Sequence, residues 1–322
     1  MRVAIVGAGM AGLSCAVALR AAGVEAVLFD KGRAPGGRVA TRRRDGLVFN
    51  HGAQFATART EVFRAALDEM AEAGEAAVWT AAGGHDPRWT GAPGMSAIPR
   101  ALAAGLELHT DRHVLFLHAG ADGWRVRHEA ASAVRPSTVR DTGGELAGPF
   151  TAVVVALPSP QAAPLLAALG HWFAHTAAEV VADPCWSVMF AVDGRLDAPD
   201  FGRPEDGGIA TAARDSSRPG RAPGPECWML HGTSEWSRAH LEETPEQVAG
   251  LLLAAFADQV GAIQPRGLAA HRWRFSQPQT ALGEACLWDA AGGVGVCGDW
   301  CVGGRVEGAF SSGLALAGAI CG

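Results

Sequence analysis

The sequence predicts an α/β protein built on a parallel sheet with a ligand-binding turn at its start, and three observations predict it. A fully apolar run, Val3–Gly7, passes through a glycine-spaced turn into the helix-patterned stretch Met10–Ala22. A second apolar run, Val24–Asp30, ends on an acid. Far along the chain, Val294–Gly298 again stops at a glycine followed by an acid and leads to helix-patterned Val306–Ile320. Strands covered on both faces read as unbroken apolar runs, which is the signature of parallel rather than half-exposed sheets.

Each element has its own warrant. Gly23 closes the first helix as a residue free to take a positive φ, and strand, helix and strand together make one βαβ unit of about 30 residues. Gly32–Asp45 is rich in glycine and arginine and reads as loop. Thr60–Gly74 places Phe63, Ala66, Leu67 and Met70 on one helical face, and a further helix is expected over Ser96–Ala104. Val78–Gly94, between them, is irregular. Leu106–Leu117 and Gly123–His128 read as strands of a smaller β element, with a turn-rich hairpin tip over Arg135–Gly148. Ala152–Leu157 is another buried strand, stopped by Pro158 and Pro160. Asp197–Glu226 has no periodicity, and a loop of that length is usually functional or mobile. Thr244–Val260 is an amphipathic helix. The expected domains are 1–77, 100–160 and 288–322 around the cofactor, with 78–99 and 161–287 forming a substrate domain.

Composition narrows the function. A chain of 322 residues suits one large or two intimately joined domains. A net charge of −6 lacks the basic face that nucleic acid or an anionic membrane requires. No apolar run reaches the roughly 18 residues that span a bilayer. Glycines also interrupt the N-terminal apolar stretch where a signal peptide would be continuous, so a cytoplasmic protein is expected. The seven cysteines form no CxxC pair, which recommends neither a zinc site nor a disulfide framework. There is no tyrosine, and Lys31 is the only lysine.

Gly7-Ala8-Gly9-Met10-Ala11-Gly12 joins the first strand to the first helix. The three glycines permit respectively a tight turn, the approach of a diphosphate, and close helix–strand packing, in the Rossmann manner. The helix N-terminus adds unpaired N–H groups and the positive end of its dipole. Asp30 stands where a carboxylate accepts ribose hydroxyls. Gly36-Gly37-Arg38 suits the far end of the diphosphate, although a solvated basic loop is the alternative. Gly298-Asp299, at a strand end before a helix, suits a ribityl chain and charge on a reduced flavin. A cofactor touched by both ends of the chain is extended, which points to FAD. Nothing beyond position recommends Cys297 or Cys301 as a covalent attachment point, so the flavin is expected to be held non-covalently.

These stretches resemble the renalase-like branch of the FAD-dependent amine oxidase superfamily almost end to end. The resemblance runs through VGAGMAGLSCA, FDKGRAPGGRVATRR, HGAQFATAR, GAPGMSAIPRALA, VVVALPSPQAAPLL, HGTSEW, HRWRFSQ and GDWCVGGRVEGAFSSGLALA. It implies a p-hydroxybenzoate-hydroxylase-like architecture, a Rossmann-type FAD-binding domain with an inserted α+β substrate domain. It also implies oxidation of 2- or 6-dihydro-NAD(P) to NAD(P)+, with O2 reoxidising the flavin to give hydrogen peroxide. Cofactor contacts are expected at Gly7, Gly9, Ala11, Gly12, Asp30, Lys31, Gly37, Arg38, Gln54, Phe55, Val114, Gly298, Asp299 and Val306, and no metal.

Substrate-side candidates keep two readings each. His231 holds a carboxamide or is structural. Trp273 walls a pocket or packs in a core, with Arg274 beside it. Trp300 lines the flavin or packs. Arg214, Arg218 and Arg221 clamp a substrate pyrophosphate on a mobile lid or are solvated. Gln54 and Phe55 touch cofactor or form a buried turn. A dihydronicotinamide expels hydride with the help of its own ring nitrogen, so no general base is obligatory. That suits a chain without tyrosine whose one lysine sits at the adenosine end. An amine oxidase or desaturase, an NAD(P)H-dependent monooxygenase and a non-catalytic redox sensor are the alternatives.

Overall fold

The computed structural model describes residues 1–133, 144–204 and 207–322. The chain divides into two units. One comprises Met1–Gly37, Pro99–Ala182 and Gln277–Gly322, the other Arg38–Ile98 and Asp183–Ser276. The sequence reading assigned 38–77 to the cofactor domain and 161–182 to the substrate domain; the first segment packs within the second unit and the second within the first.

The first unit is organised by a six-stranded sheet. Its order is Leu287–Asp289, Val294–Val296, Ala152–Val155, Arg2–Val6, Glu25–Phe29, Glu107–His109. All neighbours run parallel except the first pair. Val3, Ala4, Ile5 and Val153–Val155 are fully buried, as the unbroken apolar runs require. Helix Met10–Ala21 crosses over from the first strand to the second and packs against helix Val306–Cys321. Gly313 makes this packing close, because a Cβ there would overlap the Ala11 carbonyl oxygen and Ser14 Oγ.

Leu106–Leu117 is not one strand. Asp111, at φ 54°, turns the chain between Glu107–His109, which joins the large sheet, and Arg112–Gly120, which pairs with Gly123–Ala130 in a three-stranded sheet. Most of the expected hairpin tip lies outside the described residues, and its end is already strand Glu145–Phe150. Helices Ser159–Ala168 and Phe173–Glu179 escaped the sequence reading because prolines at 158, 160 and 164 read as breakers. Two of these prolines sit at a helix start, where proline needs no amide partner.

The second unit is a five-stranded sheet in the order Phe201–Gly202, Ile209–Arg214, Glu226–Gly232, Ala182–Val192, Arg266–Pro278. One face packs on helix Pro245–Val260, with Val188, Phe190, Trp228 and Leu230 against Val248, Leu252 and Phe256. A capping box between Thr244 and Gln247 starts that helix. The opposite face carries Met189, Ala191, Ala213, Cys227 and Met229 against Phe49 and Trp79. Three segments expected as loop contain strands. Gly32–Asp45 ends in Arg42–Arg44, paired with Leu47–Phe49, Val78–Gly94 holds half of the hairpin Ala76–Val78/Trp89–Gly91, and Asp197–Glu226 holds Ile209–Arg214. IATAAR shows no alternation because both its faces are covered, so only the sheet around it reveals the strand.

Replacing Gly313 with Ala should destabilise the protein by about 1–3 kcal/mol through overpacking. Gly318→Ala, on the same helix but with open space at its Cβ position, should be neutral or mildly stabilising. Chemical denaturation of both variants checks this, and equal effects would show that helix propensity rather than close packing governs the pair.

Candidate functional site

The first unit holds a cradle of backbone. The first strand ends at Gly7, whose positive φ of 106° and crowded Cβ position against the Ala156 carbonyl admit only glycine. A Cβ on Gly12 would overlap the Gly7 carbonyl oxygen, so this glycine serves packing. Gly9, the N-cap of helix Met10–Ala21, has an ordinary extended backbone and nothing within 4 Å of its Cβ position. Gly36 bridges to Gly9 and donates to the Ala8 carbonyl at 2.8 Å, bringing Gly37 alongside. Two side-chain-free backbones therefore face open space at a helix N-terminus that has no side-chain cap. That space and those N–H groups fit a diphosphate.

Asp30 ties the cradle together. Its Oδ2 accepts from the Ala8 amide and its Oδ1 from the Gly32 amide, each at 2.6 Å. A carboxylate has about four acceptor positions, so capacity for hydroxyls remains. Lys31 is exposed in the same loop, and Ala11 lies in the first helical turn. Val114 sits beside the bulge between Val114 and Phe116 and packs on the core of this unit. Gly298 and buried Asp299 follow strand Val294–Val296, and Val306 begins the last long helix.

Trp300 is a correction: it is 1% exposed, donates from Nε1 to the Leu157 carbonyl at 3.0 Å, and has no face left for a ligand. Cys297 and Cys301 are also fully buried. A hydrogen bond with Cys15 and burial raise the Cys297 thiol well above its ordinary range, and burial raises Cys301 to about 12. Protonated thiols of this kind are poor nucleophiles toward a flavin.

The second unit assembles a different constellation. His231 lies on the sheet face of Cys227 and Met229, opposite Ser187 and Thr211 in register. Its Nε2 is 3.3 Å from Gln54 Nε2, which also donates to the Asn50 and Gly52 carbonyls at 2.6 and 3.1 Å. Gln54 Oε1 accepts from Arg218 Nη2 at 2.6 Å, and Arg218 Nη1 donates to the Gln54 carbonyl. Because Arg218 can only donate, the Gln54 amide cannot be flipped; its two N–H protons serve the Asn50 and Gly52 carbonyls, and His231 Nε2 lies against the same nitrogen.

Arg218 is itself held by Asp215, both without exposure, and lies 3.8 Å over the Trp79 ring. Asp215 also pairs with Arg221 and accepts from the Asn50 amide at 3.1 Å. Arg214 is bound by Asp200 and Glu226. These arginines, expected on a mobile or solvated loop, are instead buried ions of a network. Gln54, expected at the cofactor or in a buried turn, has its side-chain amide hydrogen bonded within this unit. Phe55 packs edge-on to Phe201, with the Arg88 guanidinium 4.8 Å from its ring. Arg38 donates to the Ser276 carbonyl at 2.8 Å, also within this unit.

Along Arg266–Pro278 side chains alternate. Arg272 and Arg274 reach Glu242, Arg274 through two contacts of 2.8 Å, while His271 and Trp273 turn the other way. Arg274 therefore leaves the candidate catalytic set: it is an exposed ion pair. Trp273 stacks on His51 at 5.2 Å, donates from Nε1 to the His51 carbonyl at 2.8 Å, and meets His271 edge-on at 4.5 Å. Burial, followed by His271 and Arg42, lowers His51 to about 3; burial lowers His231 to about 4; burial and then Arg42 lower His271. His51 and His271 are residues that sequence reading missed. Both stood in motifs already noticed, HGAQF and HRWRF, and the strand period puts His271 with Trp273.

Comparisons with known proteins agree with this architecture. The family model described as NAD(P)-binding Rossmann-like domain matches residues 5–70, and that described as flavin containing amine oxidoreductase matches residues 60–321. Among solved structures, a protein from Exiguobacterium sp. 255-15 described as a "Putative protoporphyrinogen oxidase" is similar with TM-score 0.75 and 14% identity. A triple mutant of a putrescine oxidase, redesigned in its cofactor binding, is similar with TM-score 0.69 and 14% identity. Each alignment covers 99% of this chain and 98% of the other, and likeness at this identity speaks for the fold. Among the described residues no helix is long and apolar enough to cross a membrane.

Two outcomes follow from this geometry. Gly9→Val should fold with little change in melting temperature, since its backbone is extended and its Cβ position open, yet purify colourless because the side chain takes the diphosphate's space. A yellow Gly9→Val protein contradicts the cradle. In the second unit, folded His51 and His231 titrate near 3 and 4 against an ordinary 6.5. The stability from keeping them neutral is complete above pH 6.5 and drains as pH falls toward the folded values, because the unfolded chain takes up protons first. The urea midpoint should drop between pH 6.5 and 4.5, and His231→Gln should remove about one proton's worth of that slope. An unchanged slope would mean His231 is not held neutral.

Proposed function

This chain belongs to the flavin-containing amine oxidoreductase family and is an FAD-dependent oxidoreductase, and within that family we propose that it oxidises reduced nicotinamide isomers, 2- or 6-dihydro-NAD(P), to NAD(P)+. When bound, FAD supplies the two-electron acceptor for the hydride, and O2 takes the pair onward to give hydrogen peroxide. Gly9, Gly37 and Asp30, with the tight turn that Gly7 and Gly12 allow, would hold the adenosine diphosphate portion. Gly298, Asp299 and Val306 hold the flavin end.

One observation carries the substrate class: the constellation around Trp273 consists of imidazoles held neutral, and among the described residues the acid of its network is already paired with arginines. Asp215, the acid of its network, is saturated by Arg218 and Arg221. Burial lowers both His51 and His271, and the Arg42 charge adds to it in each, so the fixed charge these imidazoles feel is a cation. A cationic amine meets repulsion there, whereas a neutral dihydropyridine on an anionic dinucleotide does not. The indole of Trp273 offers a planar surface for such a ring, and the neutral His231 offers one ring donor and one ring acceptor to its carboxamide. Hydride loss from the dihydropyridine is assisted by its own nitrogen, so these residues need only position it. The absence of tyrosine, and a lone lysine at position 31 beside Asp30, are in keeping with that economy.

Anaerobic stopped-flow mixing of the yellow protein tests the proposal. The 2- and 6-dihydro isomers should bleach the flavin rapidly, ordinary 4-dihydro-NAD(P)H slowly, and primary amines not at all. His231→Ala and Trp273→Ala should each slow bleaching about 10- to 100-fold while the protein stays yellow. Fast reduction by an amine alone overturns the assignment.

A further inference from the structure

Four of the seven cysteines gather in the first unit beside the end of strand Val294–Val296. Cys15, Cys297 and Cys301 are fully buried, whereas Cys286 is partly exposed. Cys15 hydrogen bonds with Cys297, and Cys286 and Cys301 lie close enough to act on the same thiol.

The backbone sets two of them against each other. Strands Leu287–Asp289 and Val294–Val296 run antiparallel with Leu287 opposite Val296, and one further step of that register puts Cys286 opposite Cys297. The Gly293 carbonyl accepts from the Val153 amide at 2.9 Å, and the Cys297 amide donates to the Val155 carbonyl at 3.3 Å. Polar groups of a strand alternate sides residue by residue. Gly293, Gly295 and Cys297 therefore address strand Ala152–Val155, while Val294 and Val296 address Leu287–Asp289. Cys286 and Cys297 thus form a non-hydrogen-bonded pair, the kind with the closer Cα atoms, about 4.5 Å apart. Disulfides bridge Cα separations of roughly 4.4–6.8 Å. Opposed residues also share a face. A Cβ on Gly295 would meet Trp288 and Leu316 on that face, and two residues on Cys297 meets Cys15 of the first helix.

We propose that Cys286 and Cys297 are a redox-active dithiol that closes reversibly to a cross-strand disulfide, with partly exposed Cys286 as the point of entry for a small-molecule disulfide. The Cys286 thiol loses its proton, attacks the incoming disulfide and releases one small thiol. Cys297 then loses its proton, attacks the Cys286 sulfur and releases the second. Two protein thiols are oxidised and one small disulfide is reduced to two thiols, so atoms and electrons balance. Burial, followed by Cys15 and Glu284, raises the Cys286 thiol, so the first attack quickens as alkali supplies thiolate. Cys297 directly precedes Gly298-Asp299, and the bond ties the strand end carrying that acid to its neighbour. No residue of the His231–Trp273 constellation takes part, so the pair stands apart from the substrate proposed above.

Incubation of the intact yellow protein with glutathione disulfide at pH 8.5 tests this, read by thiol counting in denaturant and by mass mapping of peptides. The measurement uses the Cys321→Ser background, because that exposed thiol takes up glutathione on its own. Loss of two thiols, a cross-linked Cys286–Cys297 peptide and full recovery with dithiothreitol are expected. Adding Cys286→Ser, at a partly exposed position that should fold, is expected to abolish the loss. Adding Cys297→Ala instead should leave glutathione attached to Cys286. No thiol lost, a mixed disulfide on Cys286 that persists while Cys297 is present, or a bond from Cys286 to Cys15 or Cys301 overturns the proposal.

Discussion

The second unit depends on one buried carboxylate. Asp215 has no exposure and is surrounded by Arg218, Arg221 and the Asn50 amide. Removing an ion from water costs several kcal/mol, which is recovered only when its partners are themselves well placed and hydrogen bonded. That requirement propagates outward. Arg218, pinned by Asp215 and lying on Trp79, has donors left for Gln54; Gln54, so oriented, turns its Nε2 to the Asn50 and Gly52 carbonyls and against His231 Nε2. The surroundings of the buried His231 imidazole are thus set three contacts away from the ion that organises them.

The first unit is governed instead by where side chains are missing. Its glycines fall into two groups with opposite reasons. At Gly7, Gly12 and Gly313 a Cβ would collide with neighbouring backbone, so glycine there lets helices and strands approach. At Gly9 the Cβ position is open, and at Gly37 its nearest neighbour is the Gly9 Cα at 3.6 Å. Space left empty beside helix-terminal N–H groups serves a ligand rather than packing. The spacing GxGxxG looks uniform in sequence, yet its middle glycine and its outer two do different work.

Electrostatics separates the chemistry open to this member of its family. Three imidazoles near Trp273 are kept neutral by burial and by nearby cations, and a chain without tyrosine has one fewer residue type with which to build an aromatic cage.

The sequence by itself determined the parallel-sheet core, the glycine turn with Asp30 behind it, and the second glycine–acid pair at Gly298-Asp299. These are local matters: apolar runs report burial on two faces, and glycine spacing reports backbone approach. It also singled out His231 and Trp273, because each stands beside a recognisable strand. Only the tertiary structure decided that Arg274 and Trp300 leave the candidate site while His51 and His271 join it. Strand alternation sorts neighbours onto opposite faces, but which face is used depends on what packs there from residues more than 200 positions away, as with His51 and Trp273. The arginines of the long segment were misread for a related reason. A charge looks solvated in sequence until its partner is known, and Asp215, three residues before Arg218, reveals itself as that partner only when both are buried together.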